Sequence, residues 1–201
     1  MLELIGVSKS FGERLVLKGV NCKLEKGQGA VLFGPNGCGK STLLKIIAGT
    51  LHPSSGKVIL SNITKIGYMG HFWGVYSHLT AYENLKFWGD IYKVTFNKEQ
   101  LLQILERVGL KDFIFEKVHI FSRGMIQRLN IARLMLIDPD LYLLDEPETG
   151  LDSASCNMLV SFVKKELKKG KIVVWVTHNK DIDFMDNTLI YNDKTFILSK
   201  R

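Results

Sequence analysis

Residues 34–42, GPNGCGKST, place glycines, a lysine and hydroxyl groups in the spacing G-x-x-x-x-G-K-[ST]. The apolar run AVLF precedes them and the helical pattern KSTLLKIIA begins within them, which is the context that this spacing requires. Glycines let backbone N–H groups crowd around a β-phosphate, and a helix N-terminus adds positive potential. We therefore expect a phosphate-binding loop made of Gly34, Pro35, Asn36, Gly37, Cys38, Gly39, Lys40, Ser41 and Thr42.

Three side chains of this loop carry more specific expectations. Lys40 supplies a point charge to the β- and γ-phosphates of a nucleotide, and the Ser41 hydroxyl is placed to bind Mg²⁺. Cys38 is interpreted as a small filler beside the phosphates. The alternative, a redox switch, is open to a thiol alkylation test.

A second group of reactive side chains follows the apolar run LYLL, where two acids, Asp145 and Glu146, precede Pro147. A carboxylate that emerges from a buried strand beside a phosphate loop suits a Mg²⁺ shell, so we expect Asp145 to hold the metal through water. Glu146, one residue later, can then polarise an attacking water as a general base. These residues together indicate hydrolysis of a nucleotide.

The spacing of apolar residues predicts the elements that hold these groups. Strands are expected at LELIGVSKSFG, VLKGVNCKLEKGQ, GAVLFG, GKVIL, TKIGYM, DLYLLDE and KIVVWVTH, with a terminal hairpin around Asn192 and Asp193. Helices are expected over KSTLLKIIA, from the capping box TAYE through about Tyr92, over NKEQLLQILERVGL and RGMIQRLNIARLML, and at 152–169. This order predicts one domain over residues 1–201, an α/β core with a helical subdomain inserted at about 71–136.

Composition and charge indicate the compartment of the protein and the kind of partner it binds. No apolar run is long enough to span a membrane and the first ten residues lack the pattern of a signal peptide, so we expect a cytosolic protein with its three cysteines reduced. The net charge of +7 fits an anionic partner or simple solubility.

The stretch FSRGMIQRLNIARLMLIDPDLYLLDEPETGLD resembles the nucleotide-binding subunit of ATP-binding cassette (ABC) transporters. Ser122, Arg123 and Gly124 stand where that family has its signature S-G-G, and Asp152 stands at the aspartate of its D-loop. His178 in WVTHN matches the switch histidine. In KSFG, Phe11 matches the aromatic that stacks on adenine.

The resemblance covers essentially the whole chain and implies fold, cofactors and partners. The implied fold is a P-loop NTPase (RecA-like) core with an N-terminal antiparallel β subdomain and an inserted α-helical subdomain. The implied chemistry is hydrolysis of ATP with Mg²⁺, helped by Lys40, Glu146 and His178. Two such subunits are implied to pack head to tail, so that the signature residues belong to the partner's active site.

The resemblance also implies membrane partners and a place on the inner face of the cell membrane. His71 stands where the family has a glutamine near the Mg²⁺ site, and an imidazole nitrogen can contact the ion or a water. We expect Phe72, Trp73 and Tyr76 to form the surface that docks the membrane subunit. Tyr82, Leu85, Phe87 and Trp88 either join that surface or pack the helical subdomain.

The pairing of YMGH with LTAYENLKFW is similar to the cytochrome c maturation (CcmA-type haem exporter) family, which makes that function the first expectation. The signature FSRGM with QRL resembles general exporters of the ABC-2 kind instead, whose cargo is a lipid, a polysaccharide or a drug. A soluble ABC ATPase of translation or DNA repair is a remote alternative. One cassette without heptad repeats argues against it, so no nucleic acid partner is expected.

Overall fold

The structure, a computed structural model, describes residues 1–70, 74–178, 184–185 and 187–200. The chain divides into two compact units. The first comprises Met1–Gly70, Asp140–Pro147 and Val163–Arg201, and the second comprises His71–Pro139 and Glu148–Phe162. The second unit therefore includes a segment, 148–162, that lies outside the helical block expected from the sequence.

The first unit contains a small antiparallel sheet at the start of the chain. Strand β1 (Leu2–Phe11) lies between β2 (Arg14–Leu24) and β4 (Ser55–Leu60). Leu2, Leu4 and Val7 of β1 face the core, and a register shift after Leu4 brings Val7 onto the buried face. The strand ends at Phe11, which is exposed.

A larger sheet forms the centre of the same unit. Its strands among the described residues are β3 (Gly29–Phe33), β5 (Ile66–Met69), β6 (Leu141–Asp145), β7 (Ile172–Val176), β8 (Asn187–Asn192) and β9 (Thr195–Lys200). Their order is β5-β6-β7-β3-β8-β9, and only the β8–β9 pair is antiparallel. Every residue of β6 and β7 is buried, as expected for parallel strands covered on both faces. The C-terminal ends of β3, β6 and β7 therefore meet at one edge.

Helix α1 (Lys40–Ile47) follows β3 directly and packs on β6 and β7. It buries Leu43, Leu44 and Ile47 against the apolar face of the sheet. Strand, loop and helix thus follow each other as the sequence predicts, and the predicted α/β core is confirmed.

The second unit is helical. Its helices are α2 (Ala81–Ile91), α3 (Lys98–Arg107) and α4 (Arg123–Ile137), with short 3-10 turns at Lys111–Phe113 and Val118–Ile120. Helix α5 (Ser153–Lys168) follows β6 along the chain. The predicted capping box is present, because Thr80 Oγ1 accepts from the Glu83 N–H at 3.1 Å and the Glu83 carboxylate accepts from the Thr80 N–H at 2.8 Å.

The aromatic residues of α2 pack largely within this unit. Leu85 is fully buried, and the Arg133 guanidinium lies 4.9 Å from the centre of the Trp88 ring. The Phe87 ring contacts Tyr76 at a centroid distance of 4.7 Å, and Tyr82 lies 5.9 Å from Phe115. These α2 side chains were expected either to join the docking surface or to pack the helical subdomain, and this geometry favours packing.

The terminal hairpin turns one residue later than expected. Asn192 remains in β8, where it pairs with Thr195, and the turn residues are Asp193 and Lys194 with φ of 40° and 66°. Two consecutive positive φ values are typical of the type I′ turn, which matches the twist of the strands it joins.

Across the parts of the chain that the structure describes, no helix has both the length and the apolar character needed to cross a bilayer.

Candidate functional site

The phosphate-binding loop predicted from the sequence connects β3 to α1. Gly37 and Gly39 adopt φ of 76° and 106°, a region that favours glycine. Gly39 is the N-cap of α1, and in this fully described stretch no side chain caps the helix and no acid lies in its first turn. The first-turn N–H groups of α1 are therefore suited to an anion.

Close packing around the loop explains why two of its glycines bear no side chain. A Cβ at Gly34 would lie 2.6 Å from the Cys38 sulfur and 2.8 Å from the Tyr191 Cβ. One at Gly39 would lie 2.9 Å from side-chain carbons of Val16 and Leu17. The loop is thus held against neighbouring strands of the same unit.

Lys40 is buried, and its ammonium lies inside the loop. It donates to the carbonyl oxygens of Gly34 at 2.8 Å and Pro35 at 3.0 Å. Since these acceptors are neutral, a phosphate oxygen that entered the loop would be a stronger partner for the ammonium.

Cys38 is also buried, with 8% of its surface exposed. Burial raises the pKa of its thiol, which disfavours the reactive thiolate. This geometry supports its interpretation as a filler.

Asp145 is the last residue of β6 and is only 3% exposed. It pairs with Val176 of β7, which pairs on its other side with Leu32 of β3, so Asp145 lies level with the strand end that leads into the phosphate loop. The Tyr68 hydroxyl of β5 donates to Asp145 Oδ2 at 3.5 Å. Burial, and then the charge of Asp145, raise the pKa of Tyr68 to about 12, so the phenol stays protonated.

Glu146 and His178 meet just beyond the ends of β6 and β7. His178 Nε2 lies 3.0 Å from Glu146 Oε1. Both side chains remain partly accessible, with 50% of the His178 side chain and 20% of the Glu146 side chain exposed. The Glu146 N–H donates to the Val176 carbonyl, while its φ of 51° is left-handed. This backbone conformation is costly for a residue other than glycine and is typical of functional sites.

Phe11 is 50% exposed at the end of β1, as a stacking platform requires. The Lys9 ammonium lies 5.2 Å from the centre of its ring. Neither Lys9 nor Tyr68 was anticipated from the sequence, because spacing alone does not show the contacts that they make with Phe11 and Asp145.

The signature and D-loop residues lie in the second unit. Ser122 is the N-cap of α4, and its hydroxyl accepts from the Met125 N–H at 3.3 Å. A Cβ at Gly124 would lie 2.7 Å from the Gly150 carbonyl oxygen, so glycine permits this close approach. Asp152 caps α5 by accepting from the Ser155 N–H at 2.7 Å, and this bond holds its pKa below the usual value.

Three residues named in the sequence analysis, His71, Phe72 and Trp73, lie outside the described residues. Tyr76, the remaining member of the expected docking surface, is 46% exposed.

The residues present fit a nucleoside triphosphate with Mg²⁺. The uncapped helix start and the Lys40 ammonium suit phosphates, and the exposed Phe11 suits a base. Ser41 and Asp145 offer the hard oxygen donors that Mg²⁺ prefers, in the small number typical of a site completed by phosphates and water. The fold and this set of residues define an ATP-binding cassette, the ATPase domain of the ABC type.

The family assignment follows from comparison with known proteins. Residues 17–149 match the family model described as ABC transporter, and the chain belongs to that family. It is 33% identical over 198 residues to the linearmycin resistance ATP-binding protein LnrL of Bacillus subtilis, which covers 92% of this chain. It is 34% identical over 185 residues to the lantibiotic transport ATP-binding protein SrtF of Streptococcus pyogenes, covering 89% of this chain and 80% of that protein.

Solved structures agree with the fold. A dimeric ATP-binding cassette in a post-hydrolysis state, bound to ADP and Pi, superimposes with a TM-score of 0.89 at 29% identity and covers all of this chain and 98% of its own. The chain spans 64% of the length of the linearmycin resistance protein.

Proposed function

We propose that this protein is the ATP-hydrolysing subunit of an ABC exporter, built as a single nucleotide-binding domain over residues 1–201. The Glu146–His178 pair at 3.0 Å carries the proposal, because it lies at the strand edge shared with the phosphate loop. A carboxylate with a histidine partner at this edge is suited to activating a water, which hydrolysis requires and nucleotide binding alone does not.

Different residues bind the base and the phosphates of ATP. Phe11 stacks on adenine, and the loop of residues 34–42 surrounds the phosphates, with Lys40 pairing the β- and γ-phosphates. Ser41 and Asp145 would hold Mg²⁺, and His71 stays a predicted contact to the ion or its water. When bound, Mg²⁺ would supply positive charge that offsets the charge of the phosphates.

Hydrolysis is assigned to Glu146 with His178. The Glu146 carboxylate accepts a proton from the attacking water as a general base. His178, within hydrogen-bond distance of that carboxylate, orients it and stabilises charge that develops on the transferred phosphoryl group.

A second copy of the chain completes the site. The cassette of similar structure is dimeric and bound to ADP and Pi. In a head-to-tail dimer Ser122, Arg123 and Gly124 approach the partner's γ-phosphate, where the N-terminus of α4 adds positive potential and no acid opposes it in the first turn of that described helix. Asp152 lies in the adjoining D-loop.

The protein acts on the cytoplasmic face of a membrane through separate membrane subunits. LnrL and SrtF are named for linearmycin resistance and lantibiotic transport, which supports export of an antibiotic. Tyr76 belongs to the docking surface for the membrane subunit, and Phe72 and Trp73 stay predicted members of it.

Export linked to cytochrome c maturation is the second candidate. It rests on the sequence motifs YMGH and LTAYENL, of which the second forms the capped start of α2. The two named relatives favour the first candidate.

Affinity purification from detergent-solubilised membranes of the host, followed by mass spectrometry, separates these functions. An unrelated permease that co-purifies supports the general exporter, and polytopic cytochrome c maturation proteins support the second candidate. Ribosomal or DNA-bound material without a membrane protein would contradict both. An untagged strain is the control for nonspecific capture.

A further inference from the structure

Lys9 and Phe11 lie on the same strand, two residues apart, and their side chains contact each other. The Lys9 ammonium is 5.2 Å from the centre of the Phe11 ring, within the range of a cation–π interaction. Residues i and i+2 of a regular strand share a face, and here the register of β1 against β2 also shifts between Lys9 and Ser10, next to this contact. One side of the ring therefore carries a lysine.

The lysine is itself fixed at its charged end. Its ammonium donates to the His52 carbonyl oxygen at 2.7 Å. An ammonium bound to both a carbonyl and a ring has lost much of the side-chain freedom that a surface lysine normally keeps. It can therefore restrict the ring that it touches.

The carbonyl belongs to a segment that is tied to β1 at two further points. The Ser54 N–H donates to the Ser8 carbonyl at 2.8 Å, and the Ser10 N–H donates to Ser54 Oγ at 3.1 Å. This segment follows α1, the helix that starts in the phosphate loop. Phe11 is thereby linked to the element that binds the phosphates, within one compact unit.

Half of the surface of Phe11 remains exposed. A ring that a cation contacts and that is still half exposed is preorganised for one flat partner, since little ordering remains to be done when that partner binds. The cation also draws electron density from the ring, which strengthens stacking of an electron-rich heterocycle on it.

We propose that Lys9 is a positioning residue for base recognition: it holds the Phe11 ring and polarises it for stacking on adenine. The inference rests on the proposed function, in which Phe11 stacks on the base. Lys9 acts through Phe11 and does not touch the nucleotide phosphates, because its ammonium is directed to the ring and to the His52 carbonyl.

Calorimetric titration of the purified chain with Mg²⁺-ATP and with Mg²⁺-tripolyphosphate tests this role, because tripolyphosphate reports on the phosphate loop alone. Lys9→Met should weaken ATP binding about threefold and leave tripolyphosphate binding unchanged. Lys9→Arg should bind ATP as tightly as the wild type, since a guanidinium also stacks on a ring. Lys9→Gln keeps a donor for His52 without the charge and should behave like Lys9→Met.

A double-mutant cycle separates the inference from the function on which it rests. Phe11→Ala alone should weaken ATP binding about tenfold or more relative to tripolyphosphate, and adding Lys9→Met should cause no further loss. If Phe11→Ala left the ratio of the two affinities unchanged, adenine stacking itself would be refuted.

If Phe11→Ala lowered that ratio but Lys9→Met did not, only the role of Lys9 would be refuted. Equal weakening of ATP and tripolyphosphate by Lys9→Met would also overturn it, since that result indicates a general structural role. Lys57→Met, at an exposed lysine on β4 of the same small sheet, controls for the loss of one positive charge and should change neither affinity.

Discussion

The His178 imidazole and the Glu146 carboxylate are 3.0 Å apart, although the two residues are separated by 32 positions in the chain. Each follows a fully buried strand, and β6 and β7 are parallel neighbours, so their chain ends emerge side by side. The left-handed backbone of Glu146 accompanies this contact. A carboxylate with a histidine partner is suited to receive a proton from water.

Replacement of Glu146 by glutamine should abolish steady-state turnover. Glutamine preserves shape but cannot accept a proton, so we expect phosphate release to fall by about 100-fold or more, with ATP affinity nearly unchanged. ATP should then accumulate in a dimer, measurable by light scattering after size-exclusion chromatography. Glu99→Gln, at an exposed acid of α3, is the matched control. Turnover at the wild-type rate would show that another group is the base.

Replacement of His178 by alanine tests whether the histidine works through Glu146. We expect turnover to drop about tenfold to 100-fold with little change in ATP binding. In a Glu146→Gln background the histidine change should have a smaller effect, because the part of its role that works through Glu146 is already lost and residues that act as a unit are not additive. Full additivity of the two losses would indicate that His178 acts independently.

Local motifs account for the part of this site that the sequence predicted. The phosphate loop is nine consecutive residues between a strand and a helix, so its residue types and flanks suffice to place it. Asp145 and Glu146 were found for the same reason, at the end of an apolar run. The fold class followed from the alternation of strands and helices.

Contacts between distant or flexible side chains could not be predicted in this way. Tyr68 reaches Asp145 because β5 is the neighbour of β6. The sequence of a single strand does not show which strand lies next to it. The Lys9–Phe11 contact depends on rotamers. The hairpin turn moved by one residue because Asn192, a good turn former, stays in the ladder opposite Thr195.

Tyr68→Phe should weaken binding of the metal while leaving the fold intact. The change removes only the hydroxyl that donates to Asp145, a contact long enough at 3.5 Å that we expect a modest effect, about threefold to tenfold. Mn²⁺ binding to the ATP complex, followed by electron paramagnetic resonance, measures this without turnover. Tyr82→Phe is the control, because that ring lies in the helical unit. Equal Mn²⁺ affinity in both variants would show that Tyr68 serves packing alone.

Gly74→Ala should destabilise the helical unit. A Cβ at this position would overlap the Arg133 guanidinium and the Asn130 side-chain oxygen, both of which are buried, so neither can move away freely. The Trp88 indole N–H also donates to the Gly74 carbonyl, which fixes the backbone at that point. We expect a loss of about 1–3 kcal/mol in the free energy of unfolding, measured in urea. Ser77→Ala, at an exposed neighbouring residue, should change it little.

The buried thiol of Cys22 should make the protein less stable at alkaline pH. Burial raises the pKa of Cys22 from 9.0 to about 12, so the unfolded chain loses this proton first. Its contribution to stability is therefore complete below pH 9 and is lost as the pH rises from 9 to about 12. The free energy of unfolding of the wild type should fall relative to Cys22→Ala by up to about 1.4 kcal/mol per pH unit. Urea titrations at pH 8, 9 and 10 measure the difference, and parallel curves for the two proteins would show that this thiol titrates normally in the folded state.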